Sequence, residues 1–410
     1  MTNGRRERTA LIAGGSVAGL FAGSILHREG WRVEVCERAA GGLESRGAGI
    51  GTHDELFDAM SRAGARVDSM IGIQVEGRAA YDRSGAEIAR HEFAQYLTSW
   101  GLLYRRLRTA LPDSLYHLNR AVVGLHDIGD AIRVSFADGS FAQADLVVGA
   151  DGSWSTVRAL SNPNEDPTYS GYVAWRGLID EREMSQRFRE RYGRFLNFFT
   201  DEDHQLVCYP VAGADDSVAP GRRRFSFLWY RPYAPDELAA LLTDADGIRH
   251  THQIPPVRID PRHVARMRDE AAERLPPDFA DFLHRAPHPF LQPIYDLSPS
   301  RIAFARIALI GDAACVARPH VGAGVAKAAS DAIALAQALR SCASIEEALA
   351  QFEAQRRPIG QALVDKGRRL GRCIELPRDH PNHASPLPID EIIRESAMLL
   401  NEKPSRSFTP

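Results

Sequence analysis

The residues best suited to chemistry lie close together in the last third of the chain. Asp312 follows a short apolar run, and Arg318 and His320 come a few residues later, ahead of the glycines Gly322 and Gly324. A carboxylate, a guanidinium and an imidazole are groups that bind hydroxyls, hold anions and move protons near neutral pH. The segment is therefore a candidate ligand-binding site.

The elements around these residues predict how they are positioned. Ile307–Ile310 reads as a buried strand ending near Asp312, where ligands dock on open α/β sheets. The turn at 322–324 then begins a long alanine-rich helix, whose first N–H groups face something electron-rich. A carboxylate at the strand end suits sugar-like hydroxyls better than a bare phosphate, although an ordinary strand–loop–helix unit is the alternative. The residues expected to contact the ligand at the helix start are Gly322, Ala323, Gly324 and Val325.

A second unit at the N-terminus has the pattern of a dinucleotide-binding βαβ fold. Thr9–Ala13 is a short apolar strand, 14–19 (G-G-S-V-A-G) turns into a helix, and Trp31–Cys36 is a second strand closing on Glu37. Ser16 replaces the usual second glycine, and its small side chain still permits a close approach. A terminal carboxylate favours an unphosphorylated ribose 2′-hydroxyl, as in FAD or NAD. The expected cofactor contacts are Gly14, Gly15, Ser16, Val17, Gly19, Glu37 and Arg38.

A third unit lies between these two. Leu146–Ala150 predicts a buried strand, followed by D-G-S-W-S-T-V-R from Asp151 to Arg158. Arg158 stands near a helix start, where its charge does not suit the helix dipole, so we expect it to tie the loop together by hydrogen bonds. Asp151 is a cofactor candidate, and a salt-bridged Asp151–Arg158 loop is the alternative.

Composition restricts the class of protein. The chain has 410 residues, 44% hydrophobic and 25% charged, with a net charge of −3, which gives no reason to expect a nucleic acid or membrane partner. Its five cysteines are scattered without a C-x-x-C pair, which favours a reducing cytoplasm and argues against a zinc site. The sequence contains no cluster of potential ligands that would predict a metal site. The apolar run Leu11–Leu26 is shorter than the roughly 18 residues of a membrane span.

Taken in order, the three motifs resemble those of the class A FAD-dependent aromatic hydroxylases, over roughly residues 8–375. Many members carry G-D-A-A-H and G-Q-G-x-N, where this chain has Cys315, Ala323 and Ala326. The members that hydroxylate dihydroxypyridines share these departures, together with G-Y-V-A-W-R-G and the pair Tyr209-Pro210. The chain therefore resembles that branch most.

The resemblance implies an α/β fold of the para-hydroxybenzoate hydroxylase type, in which a Rossmann-like FAD-binding domain carries an inserted β-sheet substrate domain. The expected FAD-binding domain comprises 1–70, 101–168 and 298–375, the substrate domain 71–100 and 169–297, and the C-terminal tail 376–410. Within the later part of the chain, the pattern predicts strands at Tyr172–Ile179, His204–Val211 and Arg224–Tyr230, and helices at Leu238–Leu242, Phe279–Phe290, Ile345–Leu376 and Ile389–Leu400.

The implied activity is ring hydroxylation. The resemblance implies that FAD binds without a covalent link, that NADH or NADPH reduces it, and that O₂ then forms a C4a-hydroperoxide that an electron-rich ring attacks. A hydroxylated pyridine is the expected small aromatic substrate, and a homodimer is left open. Such a site must exclude water and help to deprotonate a ring hydroxyl.

The resemblance also implies site residues. Loop 46–50 (R-G-A-G-I) should pass beside the flavin ring, bringing Ile50 to the cofactor and His53 to the cavity wall, although a helix-capping or solvent-exposed histidine is an alternative. The catalytic candidates are His320, His53 and Tyr209, and the substrate candidates are Arg318, Pro319 and Trp175. Trp175 and Arg176 are alternatively a packed pair within the sheet. Tyr104 stands where the family usually has an arginine, so no flavin contact is assigned to it.

Two other functions share the same cofactor motifs. A flavin-dependent halogenase should have W-x-W-x-I-P, and the segment Trp175–Ile179 lacks its second tryptophan and its proline. A non-catalytic flavin-binding redox sensor would keep all three motifs. Substrate-stimulated NADH oxidation separates the sensor from the hydroxylase.

Overall fold

The computed structural model of the chain describes residues 8–43 and 49–398. Its strands are β1 (Thr9–Ala13), β2 (Arg32–Cys36), β3 (Gly49–Gly51), β4 (Ile73–Tyr81), β5 (Glu87–Ser99), β6 (Tyr116–His117), β7 (Val122–Asp127), β8 (Ile132–Phe136), β9 (Phe141–Ala144), β10 (Leu146–Gly149), β11 (Thr168–Asp180), β12 (Phe195–Thr200), β13 (Gln205–Val211), β14 (Arg224–Pro232), β15 (Phe290–Asp296), β16 (Ala303–Phe304) and β17 (Ile307–Leu309). Its helices are α1 (Val17–Arg28), α2 (Asp54–Arg62), α3 (Trp100–Ala110), α4 (Thr156–Ser161), α5 (Gln186–Tyr192), α6 (Pro235–Leu241), α7 (Pro261–Arg274), α8 (Pro277–His284), α9 (Gly324–Ser341), α10 (Ile345–Gly371) and α11 (Ile389–Glu395).

The first sheet brings the three sequence motifs to one edge. Its strand order is β16-β17-β10-β1-β2-β6, with parallel pairing throughout except for β16 at one edge. β1, β10 and β17 are neighbours, so their carboxyl ends place Gly14, Asp151 and Asp312 side by side. These strands are almost wholly buried, as expected for a parallel sheet covered on both faces.

The second sheet has eight strands in the order β15-β11-β14-β13-β12-β4-β5-β3. Its pairs are antiparallel except for β12 with β4. Successive side chains point to opposite faces of a strand. One face packs on apolar side chains from α5, α6, α7 and α8, and the other lies over a cavity. A smaller antiparallel sheet, β7-β8-β9, stands apart from both.

The sequence located many of these elements, and β12, β15 and α7 are among those that it missed. β12 is buried at five consecutive positions, so it shows no alternation to detect. β15 contains Pro293, which argues against a central strand, and the structure places β15 at the sheet edge, where proline is tolerated. α7 begins with Asp260 as its cap and Pro261 as its first residue, a start signal that was present in the sequence and not used.

Several predicted ends were wrong by a few residues. The predicted helix 279–290 is α8, which ends at His284 before the chain becomes β15. α10 ends at Gly371 rather than at Leu376. The tail helix covers 389–395, and the rest of its predicted length lies partly outside the described residues, as do Arg46, Gly47 and Ala48 of the predicted flavin loop.

The described ranges contain neither a candidate membrane span nor a candidate metal cluster. No helix there is both long and apolar enough to cross a bilayer. Over the same ranges, no group of three or more His, Cys, Asp and Glu side chains is placed to hold a metal ion. The division of the chain into domains stays a prediction, with the strands of the second sheet drawn from residues 49–99 and 168–296.

Candidate cofactor and substrate site

A groove of about 410 Å³ opens where β1, β10 and β17 end. The cofactor candidates on its wall are Gly14, Ser16, Val17, Glu37, Arg38, Asp151, Asp312, Gly324 and Val325. Its position at the carboxyl edge of a parallel sheet is where dinucleotides bind in this kind of fold.

The first glycines of the groove have no room for a side chain. Gly14 has φ +106°, and a Cβ atom there would lie 2.4 Å from the carbonyl oxygen of Ala150. At Gly19 a Cβ atom would lie 1.8 Å from the Gly14 oxygen, and at Gly15 it would lie 2.4 Å from the Tyr116 hydroxyl. The glycines are therefore required by the tight turn and by the close packing of α1 on β1.

Glu37 closes the far side of the groove. Its two carboxylate oxygens accept hydrogen bonds from the amides of Gly15 and Ala39, both at 2.8 Å. Each carboxylate oxygen has a second lone pair, so Glu37 can still accept from a pair of vicinal hydroxyls. Ser16 flanks the start of α1 and makes no capping bond with its hydroxyl, which leaves that hydroxyl free for a phosphate.

The loops after β10 and β17 are tied together by Arg158. Its guanidinium donates to the carbonyls of Ala313 at 3.1 Å and Ser153 at 2.6 Å. Asp151 instead accepts from Ser155 and from the amide of Val157. Arg158 therefore holds the loop through hydrogen bonds, as the sequence predicted, and the salt-bridged alternative is not what the structure shows.

A second cavity, of about 280 Å³, lies beside the groove and beneath the second sheet. The two share Trp100, Asp312, Gly324 and Val325 as lining residues, so they adjoin one another. Asp312 is exposed there, and its Oδ1 lies 4.0 Å from the position a Gly324 Cβ would occupy. An elongated cofactor can run along the groove and reach the second cavity at the start of α9.

Asp312 is held from behind by a buried network. Lys327 Nζ donates to the Gly311 carbonyl and to Asp331 Oδ2, both at 2.8 Å. Arg356 donates to the other Asp331 oxygen at 2.7 Å. Buried charges are tolerated when they are paired and hydrogen-bonded. The network fixes the backbone from which Asp312 projects.

Trp100 is a site residue that the sequence did not reveal. It lines both spaces and stacks on Tyr104, with ring centroids 5.0 Å apart and planes at 11°. The Tyr104 and Tyr116 hydroxyls are 3.1 Å apart, and Tyr116 donates to the Gly15 carbonyl at 2.9 Å. Tyr104, at the family's arginine position, thus supports Trp100 and the glycine turn.

The second sheet supplies the polar ceiling of the cavity. β13 presents Gln205, Val207 and Tyr209, three alternate residues, and neighbouring strands add side chains at the same level. Residues of the cavity that were not anticipated from the sequence include Trp100, Gln205, Tyr230, Gln292, Ser396 and Ala397. Period-two alternation around Tyr209 would have identified Gln205.

Trp175 is not a substrate residue, which corrects the prediction. It is fully buried on the helix-covered face of the second sheet, and its indole nitrogen donates to the Tyr233 hydroxyl at 3.4 Å. Its neighbour Arg176 lines the cavity instead. Adjacent residues of a strand face opposite sides, so only one of the two can reach the site.

Arg176 brings a positive charge into the cavity. Its Nη1 donates to Gln292 Oε1 at 2.7 Å, and its Nε is buried without a hydrogen-bond partner. Among the described residues no carboxylate forms a salt bridge with it. Burial raises the pKa of Tyr209, and the nearby Arg176 charge opposes that rise. Arg176 therefore places a positive charge without a carboxylate partner among the described residues on the cavity wall.

His320 lines the cavity. The sequence had suggested that its imidazole titrates near neutral pH, and the structure does not support this. One ring nitrogen lies 3.1 Å from Gln205 Oε1, and the other lies 2.9 Å from the Tyr172 hydroxyl. Burial and, second, the Arg318 charge lower the pKa of His320 to about 3. The imidazole is therefore neutral at physiological pH, with both nitrogens engaged.

His53 does not line either space, contrary to the prediction that it forms a cavity wall. It is fully buried, and its Nε2 donates to the Gly322 carbonyl at 3.2 Å. It precedes α2 without capping it. His53 therefore supports the turn before α9, whereas Ile50, together with Gly49 and Gly51, reaches the cavity.

Arg318 and Pro319 both lie on the cavity wall, but the Arg318 guanidinium is already occupied. It donates to Asp296 at 2.8 Å and to Glu375 at 2.6 Å. A buried arginine paired with two carboxylates has little left to offer a substrate. Arg318 anchors the loop before α9, and the free charge in the cavity comes from Arg176.

Comparison with known proteins identifies the family. Residues 169–296 match the family model described as FAD binding domain-like. The chain is 30% identical over 373 residues to the 2,6-dihydroxypyridine 3-monooxygenase of Paenarthrobacter nicotinovorans, covering 90% of this chain and 92% of that protein. It is 26% identical to the 6-hydroxynicotinate 3-monooxygenase of Bordetella bronchiseptica, over 80% of this chain and 82% of that one.

The chain belongs to the class A FAD-dependent aromatic monooxygenases. Among solved structures, the 2,6-dihydroxypyridine-3-hydroxylase from Arthrobacter nicotinovorans matches with a TM-score of 0.85 and 28% identity, over 93% of this chain and 97% of that chain. A Klebsiella pneumoniae protein solved with FAD and uric acid matches with a TM-score of 0.72 at 23% identity, over 88% of this chain and 87% of that chain, and shares the fold. The predicted fold class is confirmed. These relatives favour a monooxygenase over a halogenase or a sensor.

The residues present fit the FAD of this monooxygenase family. The glycine turn has no room for side chains, Glu37 has lone pairs to spare, and α9 begins without an acidic residue in its first turn. Glu37 would hold the adenosine ribose, the start of α1 the pyrophosphate and Asp312 the ribityl chain. The individual contacts remain predictions.

We expect Glu37→Gln to weaken FAD binding about fivefold, because a charged acceptor is worth roughly 1 kcal/mol more than a neutral one. Titration of the apoprotein with FAD measures this. Glu29→Gln, on an exposed residue after α1, is the control and should bind as the parent does.

Acid precipitation should leave the flavin in the supernatant. Flavin in the pellet would contradict non-covalent binding.

Proposed function

We propose that this monooxygenase hydroxylates a small pyridine ring that binds with an ionised hydroxyl. The observation that carries the proposal is Arg176, a cation without a carboxylate partner among the described residues, in the cavity next to the cofactor groove. The relatives named for 2,6-dihydroxypyridine and 6-hydroxynicotinate support the same ring class.

The size and polarity of the cavity favour one aromatic ring. Its volume of about 280 Å³ includes the space at the start of α9 that a flavin ring would take. Its apolar wall is formed by Leu97, Leu196, Phe198, Val207 and Leu228. Such a wall holds a flat ring and excludes water, whereas the polar groups at its ceiling fix the ring's orientation.

The overall reaction replaces a ring C–H by C–OH. One oxygen atom of O₂ enters the product, the other leaves as water, and NAD(P)H supplies two electrons. FAD, when bound, supplies the chemistry that accepts these electrons and activates O₂.

The chain's own residues prepare the ring. The Arg176 charge favours the ionised ring oxygen, which makes the ring more electron-rich. Gln292 orients the guanidinium through its 2.7 Å hydrogen bond. Tyr209 contacts the cavity from β13 and can hydrogen-bond the ring. His320 and Gln205 form a neutral pair that orients the ring rather than removing its proton.

A screen of ring compounds tests the proposal. The purified protein is mixed with NADH or NADPH and with a panel of hydroxylated pyridines and phenols. We expect at least one hydroxypyridine to stimulate NAD(P)H oxidation and to yield a hydroxylated product by mass spectrometry. The flavin spectrum should shift on binding of the same compound. Stimulation by phenols alone, or by no ring, would contradict the proposal.

The assembly and location of the enzyme are also proposals. All five cysteines are free, and four of them are buried, which suits a reducing cytoplasm. A homodimer is consistent with a protein of this size, and light scattering measures the assembly. The choice of NADH or NADPH follows from comparing the two in the same screen.

A further inference from the structure

The C-terminal segment returns to the substrate cavity. After α11, Ser396 and Ala397 lie on the cavity wall, beside the turn that precedes α9. Ser396 is 4% exposed, and its hydroxyl is buried without a hydrogen-bond partner among the described residues. Among the described residues, the buried hydroxyls without a partner are those of Ser24, Thr98, Ser161 and Ser396, and of the four only Ser396 lines the cavity or the groove. Because a buried hydroxyl normally has a partner, a ring bound in the cavity is the candidate partner of Ser396.

Ala397 holds this segment in place through its backbone. Its N–H donates to the carbonyl of His320 at 2.9 Å. Its carbonyl accepts from Arg78 and from Gln95, each at 3.2 Å. The segment is therefore fixed both to the loop before α9 and to the second sheet.

The backbone of Ala397 adopts an energetically unfavourable conformation. Its φ is +54°, in the left-handed region that residues other than glycine rarely adopt. A Cβ atom at Gly322 would lie 2.6 Å from the Ala397 Cα, so the turn before α9 lacks a side chain where the segment crosses it. Strained backbone that the surroundings enforce is typical of functional sites.

We propose that the C-terminal segment completes the substrate site and that Ser396 hydrogen-bonds a polar atom of the bound ring. Ser396 then acts with Arg176 in selecting the substrate. The segment also closes the cavity to water on the side of His320. This inference rests on the proposed hydroxylation of a small ring.

The direct test is Ser396→Ala, with 2,6-dihydroxypyridine as the probe. Its Kd, from the change in flavin absorbance, should rise about threefold to tenfold, the value of one neutral hydrogen bond. FAD content should equal that of the parent. Ser24→Ala is the matched control, because the Ser24 hydroxyl is also buried and unpartnered but lies in α1, away from both spaces. Its Kd should be unchanged.

A second variant tests the closing role. Ala397→Val places a branched side chain at a left-handed position, so we expect the segment to shift and a larger share of the NAD(P)H to yield hydrogen peroxide. Ala305→Val is the control, since Ala305 also has positive φ, at +39°, on an exposed turn between β16 and β17. Its peroxide yield should match the parent's.

The outcomes separate this inference from the proposed function. If the parent binds no ring of the panel, both are overturned. If the parent binds the probe and Ser396→Ala binds it equally well, the role of Ser396 is wrong and the function stands. If Ala397→Val keeps the parent's coupling of NAD(P)H to product, the segment does not close the cavity. Loss of FAD from either variant would assign the segment to the cofactor instead.

Discussion

Replacing Arg176 with methionine is expected to raise the Kd for 2,6-dihydroxypyridine about tenfold to hundredfold, because a hydrogen bond to a charged group is worth roughly 1.5–3 kcal/mol. Methionine keeps much of the side chain's bulk and removes the charge. The flavin should remain bound at the parent's level, since Arg176 lies in the second cavity and not in the groove. Titration of the flavin absorbance with the ring compound measures the change.

Two controls make this result specific. Trp175→Phe changes the adjacent residue, which faces the opposite side of β11, so stability should fall and the Kd should not change. Arg224→Met removes a half-buried arginine of β14 that bonds only backbone carbonyls and lines neither space. If Arg176→Met binds the ring as the parent does, or if Trp175→Phe weakens binding equally, the assignment of the cavity face is wrong.

The contrast between Trp175 and Arg176 shows what the sequence could not decide. Their strand is buried on both faces, and few of its twelve residues from Tyr169 onward are polar. The sequence therefore shows no polar–apolar alternation that would indicate which residues face the cavity. The face is set by pairing with β14 and β15, whose paired residues lie more than forty positions away. Arg176, Gln205 and Gln292 reach the cavity together only because the strands pair in this register. A single sequence does not specify that register.

The cofactor groove was predicted more fully because its signals are local. Each motif consists of a strand end, a turn that requires glycine and a helix start, all within about thirty residues. Parallel pairing of β1, β10 and β17 then places the three turns together. The C-terminal segment and Trp100 had no such signal, since their place in the site depends on packing between distant elements.

The ionisation of His320 also depends on distant residues. From sequence, an imidazole between a proline and a glycine turn reads as a group that titrates near neutrality. In the fold it is 5% exposed, next to the Arg318 charge and bonded at both nitrogens. Gln205 Nε2 donates to Thr200 at 3.1 Å, which leaves Oε1 to accept from His320 Nδ1. The other nitrogen therefore accepts from Tyr172.

This arrangement predicts an acid-sensitive contribution to stability. With the pKa of His320 at about 3 in the folded protein and near 6.5 when unfolded, the unfolded chain binds the extra proton between these values. Stability is therefore lost as the pH falls below about 6.5, by roughly 2 kcal/mol from this group at pH 5. His320→Gln removes this loss. Urea unfolding at pH 5 and pH 8, at one FAD concentration, should show a smaller difference for the variant than for the parent.

The same variant decides whether His320 is a base or a positioning group. A base titrating near neutrality would give an inflection in kcat/KM that disappears in His320→Gln. We expect the inflections of the parent and the variant to coincide, with a lower product yield and more hydrogen peroxide in the variant, because the ring is held less firmly. His288→Gln, on an exposed histidine, should keep both the parent's stability profile and its yield. If the inflection is lost only in His320→Gln, His320 takes the proton itself, and the neutral hydrogen-bonded state seen between Tyr172 and Gln205 is not the one that reacts.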